Sequence, residues 1–359
     1  MTGLFDPFAL KNLHLKNRIV MAPMTRSGSP GGIPGKSVAQ YYRRRAEGDV
    51  GLIITEGVGI RRPGSLNDAG SPVLYDNAVE HWARVVEEVH DGGAPITAQL
   101  WHVGARPREG FGTLPLGEPD SPSGFAWPGM AVGKPMTEAA IADTIAAYAE
   151  AARNAVDAGF DAIEIHGAHG YLIDQFFWKA TNLRTDRWGG VTLADRAEFA
   201  VAVIRAVRDA IGTDMALLLR VSQDKSPDGS IRLANSPQEM ESWLAPLVEA
   251  GIDMLHCSGM RNWRTEFDGS DLNFAGWAKK LTGLPTVSVG SVGLRNPGFE
   301  GFIPPASIED VLRRLDRGDY DLIALGRALI VDPAWPRKIR EGRLGELRPF
   351  SAEALATLE

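Results

Sequence analysis

A lone cysteine, Cys257, is the only thiol in this 359-residue chain. Its isolation excludes an internal disulfide framework, and it excludes any iron–sulfur or zinc site built from several cysteines of this chain. Long apolar runs are missing as well, and none approaches the length that crosses a bilayer. The opening stretch MTGLFDPFALKNLHLKNRIV lacks the basic-then-apolar order of a secretory leader. No block of one charge sign occurs, and a formal net charge of −7 gives no support to a nucleic-acid surface. The expectation is a cytoplasmic protein with neither membrane nor nucleic-acid partners; a monomer and a homo-oligomer are equally compatible with the composition. An HExxH helix is absent, and no GxGxxG turn follows the first strand-like run.

What is present is a repeat of apolar runs and helical patterns. Hydrophobic residues make up 44% of the chain, enough for a substantial core. Strand-length apolar runs occur at 19–24, 50–56, 96–102, 162–166, 216–222, 253–258, 286–290 and 322–326. Helical patterns fall between them, including 76–91, 138–158, 192–211, 237–250, 307–317 and 335–341. In SPQEME, Ser236 is placed to cap a helix, with Pro237 in its first turn and Glu239 three residues on. Eight strands alternating with helices predict an α/β fold: a single (β/α)8 TIM barrel over 1–359 with an N-terminal cap segment. A doubly wound sheet is the alternative, weakened by the missing glycine fingerprint. Two long loops depart from the repeat, 103–136 after the third strand and 259–273 after the sixth, and both follow carboxyl ends, where barrel enzymes build their sites.

Polar residues collect at those carboxyl ends. The first strand ends in Pro23, Met24, Thr25 and Arg26, and the second in Glu56 and Gly57. The third carries Gln99, Trp101 and His102; the fourth delivers His166, His169 and Tyr171; the fifth delivers Arg220. Gly290-Ser291 and Gly326-Arg327 end the last two strands, the usual phosphate cradle of such barrels, where glycine admits backbone N–H groups and arginine offers a cationic fork. Surface turns and an ion pair are the plainer account of the same four residues. Arg220 in ALLLRVS needs an anionic partner, either a structural carboxylate or a ligand. Gln99 needs partners for both its donor and its acceptor. A flat heterocycle alternating carbonyl and N–H groups satisfies Gln99, Arg220 and Thr25 together, and a flavin has such an edge. For His166 and His169 three readings stand: a metal site, for which the further ligands are missing; ordinary turn or core histidines; or, with Tyr171, a pocket that binds a carbonyl oxygen and supplies a proton.

Six stretches taken in order, NRIVMAPMTR (17–26), LIITEG (52–57), QLWHVG (99–104), HGAHGYLIDQF (166–176), TNLRTDRWGG (181–190) and the late LGRA, resemble the Old Yellow Enzyme family of flavin oxidoreductases over nearly the whole chain. The resemblance implies FMN at the carboxyl face of the barrel and NADPH or NADH as a transient hydride donor. It implies that Pro23, Met24 and Thr25 line the flavin ring, that Gly57 and Gln99 meet its pyrimidine portion, and that Arg220 sits near its N1 edge. Gly290, Ser291, Gly326 and Arg327 would hold the phosphate. His166 and His169 would bind the oxygen of a small activated alkene, Tyr171 would protonate it, and Trp101 would shape the pocket. Threonine at position 25 sets the chain apart from relatives with a redox-tuning cysteine there. Trp178, Trp188 and the loop 259–273 differ from what relatives often carry, so substrate shape is not implied. Two rivals remain: a lyase or isomerase for a phosphorylated substrate, which leaves Gln99, Thr25 and Arg220 unexplained and lacks a strand lysine for a Schiff base, and a flavin-binding sensor.

Overall fold

The computed structural model describes residues 3–107, 115–225, 230–293 and 308–359. Its barrel strands are β1 (Ile19–Met21), β2 (Leu52–Gly59), β3 (Ile96–Trp101), β4 (Ala162–Gly167), β5 (Ala216–Ser222), β6 (Met254–Ser258), β7 (Thr286–Val289) and β8 (Leu322–Leu325). Each pairs in parallel with the next, and β8 pairs with β1, closing the ring. The predicted (β/α)8 barrel is therefore the observed one. Both faces of these strands are buried, which is why they read as continuous apolar runs and not as alternation. Val20, Leu52, Ile54, Leu218, Met254 and Val287 fill the interior, and a hairpin of Phe8–Leu10 and Leu13–Leu15 plugs the amino end with Leu13 and Leu15. Ile53, Ile96, Ile163, Leu217, Leu255 and Ile323 face outward onto the helices.

The longer helices and the C-terminal one are α1 (Lys36–Glu47), α2 (Ala78–Asp91), α3 (Glu138–Asp157), α4 (Glu198–Ile211), α5 (Pro237–Glu249), α6 (Phe274–Thr282), α7 (Ile308–Arg317) and α8 (Trp335–Arg340), and two short helices, Leu172–Phe177 and Arg327–Val331, follow β4 and β8. Ser236 caps α5 as expected, its hydroxyl accepting the Glu239 N–H at 3.2 Å. Two helices escape the hydrophobic pattern. The inward stripe of α1 is made of Val38, Tyr41, Tyr42 and the fully buried Arg45, whose guanidinium donates to the carbonyls of Tyr41, Leu329 and Ile330. With the Glu359 backbone oxygen as a fourth acceptor, the buried arginine is satisfied by main chain alone, yet it looks like a surface charge in sequence. Helix α6 is short and lies next to a loop rich in polar residues; Asn273 starts it by accepting the Gly276 N–H at 2.9 Å. At 192–211 the α-helix begins only at Glu198, because Thr192 and Asp195 exchange side-chain-to-backbone hydrogen bonds and a single 3₁₀ turn follows. Strand β2 runs past its expected end at Glu56, with a pairing slip between Ile54 and Gly57.

Two polar clamps hold the loops above the barrel. Asp120 accepts from Arg62 twice and from His102 Nε2 at 2.9 Å, pinning the β3–α3 loop to the β2–α2 loop. The TNLRTDRWGG stretch is tied down internally: Asn182 donates to the carbonyls of Phe176 and Trp188, and Arg196 donates to Phe177 and to three carbonyls of 190–192. That motif is scaffolding for the segment behind the histidines. Trp188 is buried in the core, whereas Trp178 packs edge-on to Trp127, 5.0 Å between centroids.

Candidate active site

Period-two geometry assembles the site. On β5, Ala216 and Leu218 point inward, so Arg220 is the next inward position and sits at the carboxyl end of the interior. The same phase on β4 runs Ala162, Glu164, His166, and on β6 it runs Met254, His256, Ser258. On β3 the outward residues Ile96, Ala98 and Leu100 leave Gln99 and Trp101 inside. Register then sets neighbours: Gln99 lies opposite Gly57 and Glu164, and Arg220 lies between His166 and His256. A Cβ on Gly57 would come within 2.6 Å of the Trp101 indole, so the missing side chain makes room for that ring.

Glu164 and His256 were not anticipated as site residues. Glu164 is fully buried, and its two oxygens accept from Gln99 Nε2 and His256 Nδ1, each at 2.7 Å. Burial pushes the His256 imidazole below its ordinary value of 6.5 despite that carboxylate, so the neutral ring donates Nδ1–H. With its NH2 committed to Glu164, Gln99 has its amide oxygen left as an acceptor. Arg220 is buried, and its Nε has no hydrogen-bond partner among the described residues; one terminal nitrogen donates to Ser258 Oγ at 3.4 Å. Desolvation pulls its pKa down while the Glu164 charge pulls it up. The signal for Glu164 was available: a glutamate in the inward phase of an apolar strand, two residues before His166.

The His166–Tyr171 segment turns back over this row. His166 and His169 rings meet edge-on at 5.3 Å, His166 and Tyr171 at 4.9 Å, and Tyr171 and Trp101 at 5.1 Å. His166 Nδ1 accepts the Ala168 N–H at 3.3 Å, which assigns its proton to Nε2. His169 Nε2 pairs with Ser258 Oγ at 2.8 Å. Burial first, then the Arg220 charge, holds both imidazoles well below 6.5. At neutral pH each ring is a hydrogen-bond donor with one N–H and is not a proton source.

Two cavities adjoin across Gly259 and Met260, which line both. One, of about 330 Å³, is walled by Pro23, Met24, Arg220, Gly290, Ser291 and Arg327, with Gly326 also at its edge. A Cβ at Gly290 would lie 2.8 Å from the Gly259 carbonyl, so glycine permits that close approach. Ser291, at φ 52°, donates to the Met260 carbonyl at 3.0 Å. The other cavity, of about 370 Å³, is walled by Arg106, Trp127, His169, Tyr171, Lys225 and Ser258. Trp178 buttresses Trp127 there, which gives it a part in pocket shape. Thr25 is exposed and lines neither cavity, and His166, Gln99 and Trp101 lie beneath the cavity walls. A larger cavity of about 880 Å³, between α1 and the C-terminal segment, holds none of these residues. Among the described residues no cluster of three His, Cys, Asp or Glu could hold a metal, and no helix is long and apolar enough to cross a membrane. Cys257 faces outward from β6, and burial pushes its thiol up.

Glu56 governs the loop that carries Met24 and Thr25. One carboxyl oxygen accepts the backbone N–H groups of Arg26 and Ser27 at 2.8 and 3.0 Å; the other is buried with no partner among the described residues. Burial lifts the group from 4.5 to about 7, against those two N–H groups and the Arg26 charge. A raised carboxyl favours folding fully below its unfolded value and loses that contribution as pH rises through 7. The buried histidines, with lowered values, act in the opposite sense. The difference between E56Q and wild type isolates the glutamate: from about pH 5 to 8, urea melts of the apoprotein should show E56Q gaining on the order of 3 kcal/mol relative to wild type. A pH-independent difference would assign the shift elsewhere.

Comparison with known proteins sets this geometry in context. The barrel superposes on the structure of the old yellow enzyme homologue from Zymomonas mobilis with a TM-score of 0.82, at 29% identity, covering 99% of this chain and 96% of that one. The profile of the NADH:flavin oxidoreductase / NADH oxidase family matches residues 3–346. The chain belongs to the Old Yellow Enzyme family. It is 33% identical to 12-oxophytodienoate reductase 7 of Oryza sativa subsp. japonica over 94% of this chain and 87% of the relative. It is 34% identical to an NADH oxidase of Thermoanaerobacter brockii over 96% of this chain, and spans about half (52%) of that relative's length. Family membership makes the chain a flavin-dependent NAD(P)H oxidoreductase, which speaks against the sensor and phosphorylated-substrate lyase readings.

Proposed function

We propose that this chain is an FMN-dependent NAD(P)H oxidoreductase that reduces alkenes activated by a carbonyl or nitro group. The observation that carries the reading is the orphaned Nε of buried Arg220 at the wall of one cavity, together with Gln99, whose NH2 is committed to Glu164 and whose oxygen remains an acceptor. A buried cation with unused donors and an amide with a free acceptor form the complement of a flavin's pyrimidine edge, which alternates carbonyl and N–H. FMN, when bound, supplies the hydride chemistry, accepting from NADPH or NADH and delivering to the β-carbon of the alkene.

The chain's own residues do the rest. Arg220 and Gln99 hold the pyrimidine edge; Pro23, Met24, Thr25 and Gly57 border the ring; Gly290, Ser291, Gly326 and Arg327 take the phosphate. Arg220 also places fixed positive charge where reduction adds negative charge. At the second cavity, which His169 lines and His166 backs against the His169 and Tyr171 rings, the two imidazoles would donate single N–H bonds to the carbonyl or nitro oxygen as negative charge develops there, as an oxyanion hole does. Being neutral, they leave the proton to Tyr171, whose phenol would protonate the α-carbon. Trp101 fixes Tyr171 edge-on.

The reading is tested by reconstitution with FMN, then anaerobic reduction by each nicotinamide and reoxidation by enones and nitroalkenes. Protein that takes up no FMN ends it. Tyr171→Phe should slow reoxidation by an enone by about 10²–10⁴ and leave flavin reduction by NAD(P)H within about twofold. Equal loss in both half-reactions would remove Tyr171 as proton donor.

A further inference from the structure

His169 sits at φ +62° and is followed by Gly170 at +75°, so a non-glycine residue is held in the left-handed region at the mouth of the second cavity. Such strain persists only where surrounding bonds over-determine the backbone. Here the His169 N–H donates to Ser222 Oγ at 3.0 Å, and the Gly170 N–H donates to Asp174 Oδ2 at 2.6 Å. The Gly170 carbonyl accepts from Gln175 Nε2 at 2.8 Å. One further group touches both acceptors of those N–H bonds. Lys225, on the loop after β5, donates to both carboxylate oxygens of Asp174 and contacts the Ser222 carbonyl at 3.1 Å and Ser222 Oγ at 3.3 Å. Its side chain is 2% exposed and that of Asp174 is 0%.

We propose that the buried Asp174–Lys225 pair, with Ser222, is a positioning device that holds the His169–Gly170 turn in the shape that presents His169 to the ligand oxygen. The proposal rests on the reading of His169 as an oxygen-binding group. Lys225 lines the cavity, and the obvious alternative is a contact to the ligand itself. Its donor count argues against that. An ammonium has three N–H bonds, and four protein oxygens already surround it, so none is left for a ligand. The pair ties the loop after β5 to the short helix Leu172–Phe177 after β4, and the strained residue lies between the two anchor points. The charges neutralise one another, so the pair adds rigidity without making the pocket attractive to anions.

The two accounts predict opposite signs for one pair of variants. The probe is 4-hydroxybenzaldehyde, whose phenolate oxygen offers the acceptor an enolate would, titrated into FMN-loaded protein and followed by the flavin absorption band. As a positioning device, Lys225→Met and Asp174→Asn both weaken the probe, by roughly tenfold each, and the double variant is no weaker than the worse single one. FMN affinity stays within about twofold. As a ligand contact, K225M weakens the phenolate while D174N, which releases the ammonium, tightens it; that outcome, or unchanged probe binding in both, overturns the proposal. Ser222→Ala removes the His169 N–H acceptor without stranding a buried charge, and should weaken the probe as well if either charge variant fails to fold. A second readout needs neither flavin nor ligand: the ¹⁵N resonances of the His169 imidazole in the apoprotein should move in S222A and K225M. If they move while wild type takes up no FMN, the functional reading fails and the positioning role stands; if they stay in place, the positioning role fails.

Discussion

Replacing Arg220 with methionine is expected to weaken FMN binding by about 100-fold or more, read by quenching of flavin fluorescence on titration. The guanidinium is buried at the carboxyl end of the barrel with Nε lacking any partner among the described residues, and only a long contact to Ser258 engages its terminus. A charge-assisted hydrogen bond made by such a group contributes about 1.5–3 kcal/mol, and a guanidinium carries several such donors. R220K keeps the charge and loses the planar fork, so about a tenfold loss is expected. The potential of whatever flavin still binds to R220M should fall, since fixed positive charge favours the reduced, more negative form. Undiminished affinity in R220M would mean that the cavity beside Arg220 is not where the cofactor lies.

Glu164→Leu should destabilise the apoprotein by about 3–5 kcal/mol in urea melts, because it strands the Gln99 NH2 and the His256 Nδ1–H in the barrel interior. Glu164→Gln carries a different expectation. A glutamine in that place accepts from Gln99 with its oxygen, and its NH2 can donate to His256 only if the imidazole moves its proton to Nε2. That nitrogen is buried with no partner among the described residues, so the tautomer swap leaves one unpaired N–H. The cost should be nearer about 1–2 kcal/mol, and the ¹⁵N pattern of His256 should switch tautomer. Equal destabilisation by Leu and Gln would show that Glu164 matters for its charge near Arg220 and not for the donors it satisfies.

Much of the architecture was legible because a parallel barrel writes itself into sequence as runs of one kind. Strands buried on both faces need uninterrupted apolar residues, and all eight were found, β1 too long and β2 too short. Helix α1 escaped because Arg45 and two tyrosines make its inner stripe, and nothing local distinguishes an arginine that meets backbone oxygens from one that meets water. Among the residues proposed for the site, His166, His169, Tyr171, Gln99 and Arg220 are legible as polar groups at the ends of apolar runs. Gly290, Ser291, Gly326 and Arg327 were legible as a glycine-rich pair of strand ends, and the structure gathers them around one cavity. Thr25 is legible as a polar residue just past a strand end, and its loop takes its direction from Glu56 on the next strand, whose carboxyl accepts the Arg26 and Ser27 N–H groups. Glu164 and His256 went unread for the converse reason: each sits mid-strand, and their pairing joins β4 to β6 across the interior.

The sequence by itself determined the barrel, the face on which chemistry gathers, and the residue types available there, because burial and period-two alternation act on neighbours along the chain. Only the tertiary structure decided which donors were already spent. Gln99 keeps only its oxygen for a ligand because Glu164 takes its NH2, Lys225 is saturated by Asp174 and Ser222, and Arg220 is left with an unused N–H. Hydrogen-bond satisfaction is settled between strands far apart in the chain, and no local pattern encodes it.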